Sequence, residues 1–148
     1  MDNQVSQIQF ALQGIKTEQF ATFEEDFNPK KQIDIAVGLE FKLKHSSQLV
    51  GVFLSLHFEQ SKKKILMLLV SCHFRIEDKS WENLIDKEKS IVVLPKDFVS
   101  HISMLTVGTA RGLMFAKTEG TFCSQFIVPL INVSEMITKD ATFEIKSE

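Results

Sequence analysis

Four histidines, His45, His57, His73 and His101, and two cysteines, Cys72 and Cys123, are the side chains through which this chain could hold a metal or attack a carbonyl carbon. Two imidazoles reach one metal when spacing such as HxH or HExxH sets both on one face of an element. No such spacing occurs, and the histidines fall in different predicted elements. His57 and His73 share the less apolar face of adjacent predicted strands, at offsets from the intervening turn that do not set them opposite each other. Each reads as an ordinary half-buried histidine. The cysteines lack CxxC spacing and sit among apolar residues, which fits free buried thiols in a reducing compartment. Neither has a neighbouring histidine in sequence to take its proton. Ser46 and Ser47 lack the strand-to-helix setting of a nucleophile elbow, and the six glycines are scattered rather than gathered into a phosphate loop. The expectation is a protein without metal, cofactor or catalytic site.

Composition narrows the partners. The chain has 148 residues, enough for one domain spanning 1–148 with its own core. A net charge of −2 argues against a nucleic-acid partner, which would require clustered Lys and Arg. Lys62, Lys63 and Lys64 read as a solvated hairpin tip. No apolar run is long enough to span a membrane, and Met1-Asp2-Asn3-Gln4 does not begin a signal-peptide pattern, so a cytoplasmic location without stable membrane insertion is expected.

The elements that would position any site are legible as periodicities. Ile33, Ile35, Val37, Leu39, Phe41 and Leu43 alternate with mostly polar residues, and Val50, Val52, Leu54, Leu56 and Phe58 do the same after the turn at His45-Ser46-Ser47. Beyond Gln60-Ser61-Lys62-Lys63, "KILMLLVSCHFRI" is a third strand, giving an antiparallel meander. An earlier strand carries Ile8, Phe10 and Leu12, then changes phase after Gly14, which predicts a bulge or bend. The charged stretch "EDKSWENLIDKEKS" holds the single tryptophan, Trp81, read either as the cap on the core of a short helical turn or as a ligand contact. A principal helix follows Pro95, with Phe98, Ile102 and Leu105 at helical spacing and Val99 and His101 on its flank. In "ISMLTVGTARGLMFAKTEG" the helix is expected to stop at Gly112, with Arg111 near the negative end of its dipole. From Leu113 the chain is expected to be extended or hairpin-like, and Asn132 or Ser134 to cap a short last helix.

Thirteen phenylalanines and no tyrosine are the anomaly of the composition. Phe20, Phe23, Phe27, Phe115, Phe122 and Phe126 lie outside the cleanest strand faces. Any one of them could fill a core. Together they exceed what one sheet and one helix require, so subunits or a partner should pack on them. With Trp81 they form the candidate peptide-binding set.

The order of these features resembles the SecB family of protein-export chaperones over roughly residues 8–137. "LQGIKTEQFATFEE" is similar to the family's first strand, which ends in an aromatic residue and Glu, here Phe23-Glu24. "FNPKKQIDI" resembles its aromatic-x-Pro and following strand, here Phe27, Pro29 and Ile33-Asp34-Ile35. Arg111-Gly112 resembles the Arg-Gly end of its helix, and "VPLINVSEMI" its Pro-x-Asn element, with one residue more between Pro129 and Asn132. The resemblance implies an α+β fold with a four-stranded antiparallel sheet, and the principal and short C-terminal helices packed on one side. It also implies a homotetramer, a dimer of dimers, whose grooves hold non-native polypeptide without ATP. The Arg-Gly turn would lead into the groove-lining segment. "TKDATFEIKSE" lacks a motor-engaging tail, so the export motor and a toxin of a toxin–antitoxin pair are the further partners it leaves open. The competing reading from the residues is a small-molecule or lipid-binding sheet domain.

Overall fold

The computed structural model describes residues 8–145, so the amino-terminal Met1-Asp2-Asn3-Gln4 and the last three residues of "TKDATFEIKSE" lie outside the described residues. Alternating side chains produce four long strands: β1 (Phe10–Thr22), β2 (Asp34–Lys44), β3 (Leu49–Gln60) and β4 (Lys63–Ile76). They form an antiparallel sheet in the order β1-β4-β3-β2. The expected meander is present, with Ile35 opposite Phe58 and Leu43 opposite Val50 between β2 and β3. In-register partners share a face, so this register brings the apolar residues of both strands to one side. β1 shifts register between Leu12 and Gly14, where the phase change predicts it, and again between Thr17 and Gln19.

β3 and β4 are joined through Ser61 and Lys62, both at positive φ (50° and 70°). That is the backbone of a primed two-residue hairpin turn, for which Asn-Gly is the favoured pair. The Ser61→Asn/Lys62→Gly variant should therefore raise unfolding free energy by about 1 kcal/mol, read as a higher denaturant midpoint at unchanged slope. An unchanged or lower midpoint would refute this account of the turn.

After β4 come α1 (Asp78–Leu84), β5 (Ile85–Asp86), β6 (Ile91–Leu94), α2 (Lys96–Thr118), α3 (Val133–Met136) and β7 (Ala141–Glu144). α1 starts where the Glu77 carboxylate accepts from the Ser80 amide at 3.3 Å. β5, β6 and β7 form a second, three-stranded sheet that the periodicities do not announce. β6 pairs with β7 across the whole of α2, and the same approach lets Asp140 Oδ1 accept from the Lys96 amide at 2.8 Å, satisfying a donor at the start of α2.

α2 corrects the sequence reading most. It continues through Gly112 to Thr118 and leaves the helical path at Glu119 and Gly120, whose φ is +79°. One interior glycine costs about 1 kcal/mol relative to alanine, and the helix formers Leu113, Met114, Ala116 and Lys117 follow it. Met114 and Thr118 also continue the buried stripe one and two turns beyond Ala110. Arg111 consequently lies inside the helix, donating from Nε to the Val128 carbonyl (3.3 Å) and from an Nη to that of Pro129 (3.1 Å). Leu105 is on the exposed side; the buried stripe runs through Ser103 and Thr106 instead. Their hydroxyls donate to the Val99 and Ile102 carbonyls at 2.7 and 2.8 Å, which lets polar residues occupy positions expected to be apolar.

α2 lies across β3 and β4 and touches α3, so these helices share one side of the main sheet. Phe98, Val99 and Ile102 join Val50, Val52, Cys72 and Phe74 in one core cluster; Val107, Ala110 and Met114 join Leu54, Leu56, Phe58 and Leu68 in the other. Cys72 and Cys123 are both free and buried.

Candidate functional site

β2 is an edge strand, paired with β3 alone among the described residues, and a groove of about 330 Å³ opens along its start. One wall is the irregular connection into β2, through Phe27, Pro29, Lys31 and Ile33, and the opposite wall is Gln125, Phe126 and Ile127 from the segment after α2. Ile35 and Phe58 complete the lining from the sheet. The floor is aromatic. Phe126 stacks on Phe58 with ring centroids 5.3 Å apart and planes 4° apart, Phe27 meets Phe126 edge-on at 5.6 Å, and Phe122 packs against both Phe27 and Phe126. These rings carry no hydroxyl or indole nitrogen that would need a partner. At the rim, Ile127 is 71% and Ile35 40% exposed, and Leu130, just beyond, is 95% exposed.

Two polar side chains hold the walls. The Arg111 guanidinium ties the segment after α2 to the helix. Gln60, at the end of β3, bonds to the backbone at Asn28 and Lys31. The post-helical segment folds on itself in tight turns, with the Ser124 amide donating to the Thr121 carbonyl and that of Phe126 to Cys123. Burial, then the nearby Glu24 carboxylate, pushes the Cys123 thiol up to about 11, so it is protonated at neutral pH and a poor nucleophile.

The structure divides the seven candidate peptide-binding residues. Phe27 and Phe126 line the groove, with Phe122 behind them. Phe20 is half-buried on the edge strand β1 with Lys117 Nζ 5.4 Å above its ring. Phe23, 40% exposed, precedes a 3-10 turn at Glu24–Asp26, and its amide donates to the Ile65 carbonyl. Trp81 belongs to the core: it is 3% exposed and packs against the His45 ring at 5.5 Å. Phe115 lies on the outer face of α2 and does not line the groove, because the helix does not end where the sequence suggested. Pro29, Ile33, Ile35 and Ile127 were not in the candidate set, since the stretch 29–35 and Ile127 are far apart in sequence and only the fold brings them together.

That outer face of α2 is a second apolar surface. Met104 (61% exposed), Leu105 and Phe115 (65%) stand around Gly108 and Gly112, where a Cβ would meet nothing within 4 Å. Leu12 and Ile15 of β1 are also exposed, between Phe10, which touches Phe98 and His101, and Phe20 beneath Lys117.

The opposite face of the sheet carries a polar cluster with no sequence signal beyond the phase changes of β1. At the second bulge Glu18 Oε2 accepts from the Ser71 hydroxyl at 2.7 Å, and Ser71 Oγ lies 2.9 Å from His73 Nε2. Burial first and Lys16 second lower the His73 pKa, favouring neutral imidazole. The residue types are those of a hydrolytic triad, but serine rather than histidine is in the middle, and Ser71 is fully buried. With its hydrogen given to Glu18, Ser71 is not oriented for attack. Among the described residues there is no group of three or more His, Cys, Asp or Glu placed to hold a metal, and no helix is long and apolar enough to cross a membrane.

No protein-family model matches the chain, and no curated protein matches it. A protein of unknown function from Streptococcus agalactiae, known from its crystal structure, is similar at 13% identity with a TM-score of 0.34, over 76% of this chain and 89% of that one. At that score the likeness carries no argument about fold or function.

Proposed function

We propose that this protein is a non-enzymatic, ATP-independent chaperone of SecB-like fold that holds non-native polypeptide in extended form. The observation that carries the reading is the placement of an apolar, aromatic-floored groove beside the unpaired edge of β2. An extended chain laid there can pair its backbone with the strand, which is indifferent to sequence, and put alternate apolar side chains against Phe126, Ile35 and Ile127. Apolar contact adds roughly 25 cal/mol per Å² buried. The groove is open to solvent rather than an enclosed cavity, which favours a chain over the small molecule or lipid of the competing reading. The outer face of α2 with the adjoining part of β1 supports self-association, and the sequence resemblance supports a dimer of dimers, with an export motor or a toxin as further partners.

The test is suppression of light scattering when a chemically denatured reporter protein is diluted into buffer containing this chain. The Ile35→Ser/Ile127→Ser variant changes two exposed groove residues, so it should keep the wild-type melting temperature while losing most of the suppression. Failure of the wild type to suppress scattering, or undiminished suppression by the folded variant, would overturn the reading.

A further inference from the structure

Gln60 interrupts an inward-facing apolar series. Val50, Val52, Leu54, Leu56 and Phe58 occupy alternate buried positions of β3, and the next is Gln60, only 2% exposed. A buried amide is unfavourable there unless its polar atoms find partners, whereas leucine at the same position would extend the core without that requirement. All three of its hydrogen bonds go to one short stretch of backbone. Gln60 Oε1 accepts from the Asn28 amide at 2.9 Å, and Nε2 donates to the Asn28 carbonyl at 2.7 Å and to the Lys31 carbonyl at 3.1 Å.

This stretch is the groove wall carrying Phe27, Pro29 and Lys31. It lies between strands β1 and β2 and has no sheet partner among the described residues. Its other backbone restraints are turns within itself, such as the Lys31 amide to the Asn28 carbonyl at 3.1 Å. We infer that Gln60 is the positioning residue of the groove: its amide fixes the wall at residues 28–31 relative to the sheet and so sets the width available to a bound chain. This rests on the groove being the binding site. A fixed wall reduces the ordering required at each binding event, so release of the wall should weaken binding even though no lining residue has changed.

The test uses the full chain with Gln60→Met, which keeps the side-chain length but removes the bonds, and Gln60→Glu, whose ionised carboxylate cannot donate to either carbonyl. Amide hydrogen exchange is read at the amides of 28–32, which are those of Asn28, Lys30, Lys31 and Gln32 because Pro29 has none, and in β3, and affinity is measured by anisotropy for a fluorescent, reduced and carboxymethylated lactalbumin. Both variants should speed exchange at 28–32 at least tenfold at neutral pH, leave exchange at Leu54 and Leu56 unchanged, and weaken affinity about tenfold. For Gln60→Glu both effects should recede on acidification, because a protonated carboxyl can again donate one bond. Wild type measured at each pH supplies the baseline for the charged groups of the wall and of the adjoining strand ends, Asp26, Lys30, Lys31, Glu59, Lys63 and Lys64, of which Asp26 and Lys63 pair at 3.9 Å. Wild-type exchange at 28–32 in both variants would overturn the inference, as would lost affinity with no change in that exchange or no recovery in acid. If wild type itself does not bind the carboxymethylated chain, the functional reading falls, while the exchange measurement still decides whether Gln60 holds the wall.

Discussion

Ile102→Asp is expected to leave no cooperatively folded protein. Ile102 is fully buried on α2 within the cluster formed with Phe98, Val52 and Phe74, and no cation among the residues of that cluster could pair with a carboxylate. The substitution removes a large apolar side chain and strands a charge, two effects that together should cost about 5 kcal/mol or more, comparable to the whole stability of many domains. Leu105→Asp, three residues further along the same helix but 43% exposed, should change protomer stability by less than about 1 kcal/mol. Denaturation followed by circular dichroism separates the two. Equal losses would mean that the buried stripe runs through Leu105 after all, and a wild-type melting temperature for Ile102→Asp would remove α2 from the core.

The second large effect distinguishes two phenylalanines that look alike in sequence. Phe126 is 8% exposed, stacked on Phe58 and edge-on to Phe27, so Phe126→Ala should lower unfolding free energy by about 3–5 kcal/mol. Phe115 is 65% exposed on the outer face of α2, and Phe115→Ala should leave protomer stability within about 0.5 kcal/mol of wild type. Its effect should appear in sedimentation, as a shift towards smaller species, since that face is the one proposed for self-association. A large stability loss for Phe115→Ala with unchanged sedimentation would contradict its placement, and a stable Phe126→Ala protein would contradict the aromatic floor.

Strands were readable because their signal is local. Ile33 to Leu43 alternate strictly and Val50 to Phe58 place an apolar residue at every second position, with Phe53 among the residues between, and the antiparallel register follows from those periods and a short turn. The extent of α2 was not readable, because a glycine after an arginine has the form of a helix end, while the reason for continuing, the burial of Met114 and Thr118, depends on tertiary packing. Ser103 and Thr106 hid the true stripe for a related reason: a hydroxyl bonded to the preceding turn can be buried where polarity alone predicts exposure. The small sheet was invisible because β6 is four residues long and finds β7 only across α2. Of the groove, Phe27 and Phe126 were legible as surplus aromatics. The opposing isoleucines and the clamp at Gln60 were not, since Gln60 reads as the first polar residue of a turn until its burial is known.

The strand order β1-β4-β3-β2 also imposes a timetable on the chain's own synthesis. β1 is made before the other strands, yet among the described residues its one partner in the sheet is β4, which leaves the ribosome after β2 and β3. At roughly 5–20 residues per second, Phe10, Leu12, Ile15 and Phe20 spend on the order of seconds without the strand that will order them. The β2-β3-β4 meander, built from neighbouring hairpins, can assemble in microseconds to milliseconds once its residues emerge, whereas closing the sheet must await a non-local pairing. A nascent chain stalled before β4 would therefore expose the very edge that later adjoins α2, and would itself be a substrate for whatever holds unfolded polypeptide in the cell.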